Sequence, residues 1–161
     1  MPNSDIYVAD SGLQTVATTA QTGLVAFNTP ATKRIWIVGV RMYVGATLAA
    51  ASNSVAFQLG RISNTAIGQS QVTITKQDTS APASLVGTTA PTLGTGWLTA
   101  PTLSAPLIAE WELPQTTGSM WEEFPPLGYE FGIAVSSGVA MFVTATVGTS
   151  TPFSAQIIWS E

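Results

Sequence analysis

The sequence predicts an all-β chain, a jelly-roll-like antiparallel β-sandwich, and three observations carry that prediction. The long apolar segments alternate with a period of two residues, as strands with one buried face do. Polarity is carried by hydroxyls, with 23 Thr and 15 Ser among 161 residues, and Thr favours strands. The 14 Gly and 10 Pro supply turns, while no capped segment keeps a helical period. The length suits one domain large enough to bury a core. The expected organisation is an extended N-terminal arm over 1–22 and a single β-sandwich domain over 23–161, which carries one long Pro/Thr/Ala loop at 78–106.

Taken in order, residues 1–22 are small and polar, with Ile6, Tyr7, Val8, Leu13 and Val16 as anchors. They read as an arm that lies on another surface. The segment 33–44, "KRIWIVGVRMYV", places Trp36, Val38, Val40 and Met42 on one face. Ile35, Ile37 and Tyr43 take the other with Arg41, which predicts a central strand covered on both sides. "GATLAAASNS" at 45–54 is too short and too close to Gly45 and Asn53 for a stable helix, and reads as a loop. A strand at 54–62 follows, with Val55, Phe57 and Leu59 inward, then a shorter one at 71–76.

The segment 78–106 breaks this rhythm. It is Ser, Thr, Ala and Gly with Pro82, Pro91, Pro101 and Pro106, and "TAPTL" occurs twice, at 89–93 and 99–103. Connections beyond about 12–15 residues without structure are uncommon and usually functional or disordered. Leu93, Trp97, Leu98 and Leu103 give it apolar anchors, so it is expected to pack on a surface, its own or a neighbour's. "LIAEWEL" at 107–113 reads as a strand with Leu107, Ala109, Trp111 and Leu113 inward. Tyr129, Phe131, Ile133 and Val135 then alternate toward the core. Ser137-Gly138 turns the chain into a strand at 139–147, and a turn at 149–152 leads into the last strand, 153–159.

Charge narrows the function classes. Only 9% of residues are charged, against about 25% in ordinary soluble domains. There is no Cys, so neither a disulfide nor a thiolate metal site exists. There is no His, the commonest general base and metal ligand. No apolar run reaches the roughly 18 residues of a membrane span, and five scattered basic residues make no nucleic-acid footprint. The two halves differ in sign. Residues 1–76 hold five bases and two acids, a net +3, while 77–161 hold seven acids and no base, a net −7. Either strands from the two halves neutralise each other inside the domain, or two opposed surfaces join subunits.

An acid/base site would need paired carboxylates. Glu110 and Glu112, two apart on a strand, share its outward face, and a glycosidase pair roughly 5–9.5 Å apart is sterically open to them. Alternating acids on an open face are nevertheless ordinary solvation. Glu122 and Glu123 are consecutive and face opposite sides. Pro125-Pro126 forbids a central strand there, so "WEEFPPLG" reads as a turn with a polar rim that feeds a core strand. A Ca²⁺ site on Glu110 and Glu112 lacks EF-hand spacing. Gly94-Thr95-Gly96 is followed by no helix, and no Ser-x-x-Lys arrangement supplies a base to a hydroxyl. The expectation is no catalytic residue, no metal and no cofactor. Trp97, Trp111 and Trp121 suit core or interface packing, or a platform on which a sugar stacks.

Three stretches carry a resemblance: "KRIWIVGVRMYVGATLAAASNSVAFQLGRI", "VTITKQDTSAPASLV", and "WEEFPPLGYEFGIAV" with the closing "SAQIIWSE". Together they resemble small virion structural proteins of tailed bacteriophages, of the jelly-roll or β-sandwich type. The resemblance implies a non-enzymatic capsid decoration (cement) protein on the capsid surface, assembled in the host cytoplasm. It implies the major capsid protein as partner, a homo-oligomer, often a trimer, and neither nucleic acid nor membrane as ligand. Contacts are expected from the arm, the 78–106 loop and the acidic 110–130 region, with interface residues Leu93, Trp97, Leu103, Trp121, Glu122 and Glu123. The alternative is a tail or fibre module that binds a host glycan through exposed Trp residues.

Overall fold

In a computed structural model the chain is described over residues 5–16, 21–45, 54–65, 67–68, 72–86, 97–114, 116–145 and 151–161. Its elements there are all β-strands: β1 (Ile6–Asp10), β2 (Gln14–Val16), β3 (Thr22–Asn28), β4 (Ile35–Val44), β5 (Ser54–Ile62), β6 (Ile67–Gly68), β7 (Ile74–Lys76), β8 (Trp97–Thr99), β9 (Leu103–Pro114), β10 (Met120–Glu123), β11 (Phe131–Ile133), β12 (Gly138–Ala145) and β13 (Thr151–Ser160). One sheet runs β10-β4-β13-β1-β7, with β11 also on β4 and β2 on β13. The second runs β3-β12-β5-β9, and β6 pairs β8 separately. The pairings are antiparallel.

Eight of these strands, β1, β3, β4, β5, β9, β10, β12 and β13, form the frame. Counted in that order, they lie 1-8-3-6 in one sheet and 2-7-4-5 in the other. That order is a jelly roll, and the predicted all-β sandwich holds.

The core fills the space between the sheets. Ile35, Ile37, Val40, Met42, Phe153 and Ile157 of the first sheet meet Phe27, Val55, Phe57, Leu59, Val139 and Met141 of the second. Phe57 meets Phe153 edge-on with centroids 6.0 Å apart. Trp159 is fully buried and packs on Tyr7 at 5.8 Å and on Phe27 at 5.0 Å.

Several expectations are corrected. The faces of β4 do not follow a single alternation. Pairing with β13 slips between Ile158 and Trp159, because Gly39 faces Ile158 while Ile37 faces Trp159. The extra residue, Val38, is a β-bulge that flips the phase of the strand. Ile35 and Ile37 therefore share the buried face with Val40, Met42 and Val44, and Trp36 lies outward at 41% exposure. The 129–135 strand shrinks to β11: Tyr129 and Val135 are exposed, and Phe131 and Ile133 alone face inward.

The N-terminal segment 1–22, expected as an arm, contributes β1, which lies inside the larger sheet between β13 and β7. Tyr7 and Ala9 alternate into the core there. The expected 78–106 loop contains β8 and the start of β9, with Leu103 opposite Ile62. Its early part clings to its own domain. The Tyr7 hydroxyl donates to the Pro82 carbonyl at 3.1 Å and Lys76 Nζ to the Ala81 carbonyl at 2.7 Å. The Glu161 carboxylate accepts from the Ser84 hydroxyl, from the Leu85 N–H at 3.1 Å and from the Trp159 indole at 3.3 Å.

Tyr7 gives a pH prediction. Burial first, then the carboxylates of Glu161 and Asp5, raises its pKa above the ordinary phenol value. The folded state thus holds this proton more tightly than the unfolded chain does. The resulting stabilisation is complete below about pH 10 and is lost as pH rises through the raised pKa. Tyr7→Phe is expected to cost about 0.5–1.5 kcal/mol at neutral pH, through the lost hydrogen bond. It should also flatten the fall of melting temperature across about pH 9–11. An equally steep alkaline fall in Tyr7→Phe would assign it to other groups.

Candidate interaction surface

One flank of the sandwich is built from β9, β10 and the chain between β10 and β11. β10 and β11 pair with the same strand, β4, from Met120 opposite Tyr43 to Glu123 opposite Val40, then from Phe131 opposite Ile37. Residues 124–130 must therefore leave the sheet edge beside the bulge at Val38 and Gly39. Sequence dictates this departure. Pro125 and Pro126 have no N–H to offer the ladder, and Gly128 takes φ +90°, a left-handed conformation natural to glycine. The Tyr129 N–H closes the turn on the Pro126 carbonyl at 2.9 Å, and the Gly128 N–H donates to Glu130 Oε2 at 2.8 Å.

The base of this excursion is fixed and its tip is bare. The Phe124 ring folds back over Gly39, where an added Cβ would lie 2.5 Å from a ring carbon. Arg41 approaches the same ring, 5.7 Å from its centroid, and pairs with Glu122 at 2.8 Å. Trp36 lies over Gly132 with Arg34 5.7 Å from its ring. At the tip Leu127 is 83% and Tyr129 76% exposed, beside half-exposed Met120, Trp121 and Phe124. So many large apolar groups on one flank mark a contact surface rather than scattered surface residues.

The carboxylates have local partners rather than one another. Glu122 holds Arg41. Glu123 accepts from the Trp111 indole N–H, a bond from the edge strand of one sheet to the edge strand of the other. Glu130 caps Gly128. Glu110 and Glu112 are exposed on β9, which also carries Pro106 and Pro114. Edge-strand pairing is thus blunted here, and the flank offers side chains instead.

Of the residues expected at an interface, Trp121, Glu122 and Glu123 lie on this flank. Leu103 does not: it packs on Ala26, Ile62, Ala140 and Phe142 of its own domain. Leu93 lies outside the described residues, as does the side chain of Trp97, whose backbone belongs to β8. Sequence reasoning missed Met120, Phe124, Leu127 and Tyr129 as exposed anchors. The signal was present, because apolar residues within a Pro-Pro-x-Gly turn cannot all reach a core.

At one end of the sandwich residues 28–31, 62–65 and 136–138 line an open groove of about 440 Å³. Its polar groups are largely occupied. The Thr29 hydroxyl donates to the Ala134 carbonyl at 2.6 Å and accepts from the Ser137 N–H at 2.8 Å. Asn64 bonds the Ala100 carbonyl and the Thr102 N–H, both at 2.7 Å. Among the described residues no group of three or more Asp or Glu is placed to hold a metal ion, and no helix is long and apolar enough to cross a membrane. Comparison with protein-family models, with curated proteins and with solved structures finds no match to the chain.

Proposed function

We propose that this protein is a non-enzymatic structural component of a virus particle, which decorates and reinforces a bacteriophage capsid through subunit contacts. The observation that carries the reading is the 124–130 excursion, a rigid-based turn with a bare apolar tip on a chain poor in charge. Such a surface gains most by burial against protein. The jelly roll supports the reading, since capsid proteins share it with lectins and cupins. Fold alone does not assign function, so the flank bears the weight. The partners in this reading are the major capsid protein and further copies of the chain, three by the resemblance given above. It calls on no cofactor, metal, nucleic acid or membrane. The test is copy number in purified particles. Decoration requires a fixed, lattice-like ratio to the major capsid protein, and a handful of copies per particle would end the reading.

A second reading, a tail or fibre module for a host glycan, is favoured by Trp121, whose side chain is half exposed on the edge strand β10. Antibody labelling confined to the tail would support it and exclude decoration.

A further inference from the structure

Resting on the reading of this flank as a protein contact surface, we infer that the partner segment seated on it is acidic. Its carboxylates, set among apolar side chains, pair with Arg34 and Arg61 around Trp36. Two arginines beside the excursion are built alike and completed differently. The Arg41 guanidinium lies 5.7 Å from the centre of the Phe124 ring and pairs with Glu122 at 2.8 Å. The Arg34 guanidinium lies 5.7 Å from the centre of the Trp36 ring, yet among the described residues no carboxylate is in ion-pair range of it. Arg61 comes to the same place from the other sheet. Its Nη2 donates at 3.4 Å to the carbonyl of Gly132, the residue that the Trp36 ring covers. Among the described residues Arg61 too has no carboxylate in ion-pair range.

The nearby acids are already engaged. Glu122 holds Arg41, Glu123 accepts from the Trp111 indole, and Glu130 accepts from the Gly128 N–H. Arg34 and Arg61 are both exposed, so an incoming carboxylate displaces no internal ion pair. A guanidinium steadied by a ring or a carbonyl keeps further N–H groups in a planar fork that matches a carboxylate. The two cations also border the bare apolar tip. Gly132 belongs to β11, which begins just after Tyr129, and Leu127 and Tyr129 stand exposed there. Arginine beside aromatic residues is the composition that interfaces favour.

Charge complementarity makes the occupant an acid, and the tip makes it a polypeptide. A nucleic-acid backbone or an acidic polysaccharide would satisfy the arginines but leave Leu127 and Tyr129 in water. Nor is Trp36 a bare platform for stacking a base or a sugar, since its ring already lies on Gly132 with Arg34 against it. A segment that carries both carboxylates and apolar side chains covers cations and tip together.

The test is binding to immobilised polymers at low salt, with circular dichroism to confirm folding. A random copolymer of glutamate and tyrosine is the probe, and duplex DNA and polygalacturonate are the competing polyanions. The parent should bind the copolymer best and release it as salt rises. Arg34→Gln with Arg61→Gln should weaken that binding by about tenfold or more. Arg34→Lys with Arg61→Lys should fall between, and Glu110→Gln with Glu112→Gln should not weaken it. The same ranking is expected on shells stripped of the protein. A parent that ignores the copolymer overturns the inference, as does a glutamine pair that binds it equally well. Stronger binding to DNA or to polygalacturonate than to the copolymer also overturns it, by assigning the patch to a phosphate or a glycan. The two readings separate on shells. Equal rebinding by parent and glutamine pair overturns the inference and leaves the capsid reading standing. The expected copolymer ranking without any shell binding upholds the inference and ends the capsid reading.

Discussion

Trp159→Ala is expected to cost about 3–5 kcal/mol, the range for truncating a buried aromatic residue. Trp159 is fully buried at the junction of the sheets, against Tyr7 of β1 and Phe27 of β3. Removing the ring leaves both neighbours facing a cavity and deprives Glu161 of an indole donor. A domain holds only about 5–15 kcal/mol in total, so the variant should be near its unfolding threshold at 37 °C. Urea denaturation is the measurement, with a lower midpoint at unchanged slope. Trp159→Phe keeps most of the packing and should fall between variant and parent. A loss below about 1 kcal/mol for Trp159→Ala would mean that this junction is not the closed core described.

The second large effect concerns assembly and leaves the fold alone. Among the described residues Leu127 and Tyr129 are the most exposed of the large apolar side chains, so Leu127→Ser with Tyr129→Ser should move folding stability by no more than about 0.5 kcal/mol. If both act as anchors, each contributes about 2 kcal/mol to association. The pair together should then weaken binding to shells stripped of the protein by a hundredfold to about a thousandfold. Unaltered rebinding of this double variant would remove the excursion from the contact surface and leave the rest of the flank as the candidate.

Much of the frame is legible in the sequence wherever burial imposes a strict period. Val55, Phe57 and Leu59 read correctly because β5 pairs on both sides and keeps its register across them. β4 reads as a strand, but its faces do not, since a bulge at Val38 inserts one residue and leaves Gly39 as its only trace. β1 escapes notice because a strand of five residues with two small ones carries little periodic signal. The site divides similarly. Trp121 and its two glutamates stand out beside the double proline. Tyr129 is misread as core, because its spacing to Phe131 and Ile133 continues an alternation that the turn at Gly128 interrupts. Which charges remain uncompensated depends on strands far apart in sequence, and composition alone does not reveal it.

The place of β13 has a consequence for how the chain is made. This strand, the thirteenth in order, lies between β4 and β1 and holds them in one sheet. Neither can complete its pairing until β13 arrives, so folding cannot proceed in step with the ribosome. At about 5–20 residues per second, β1 waits on the order of 10 s for its neighbour. During that interval Tyr7, Ile37 and Val40 have no finished interior to enter, and the closing contacts, such as Ile6 with Ser160, span nearly the whole chain. Closure over such separations is slow. The nascent chain therefore leaves these apolar residues without their sheet until β13 has emerged to pair with β4 and β1.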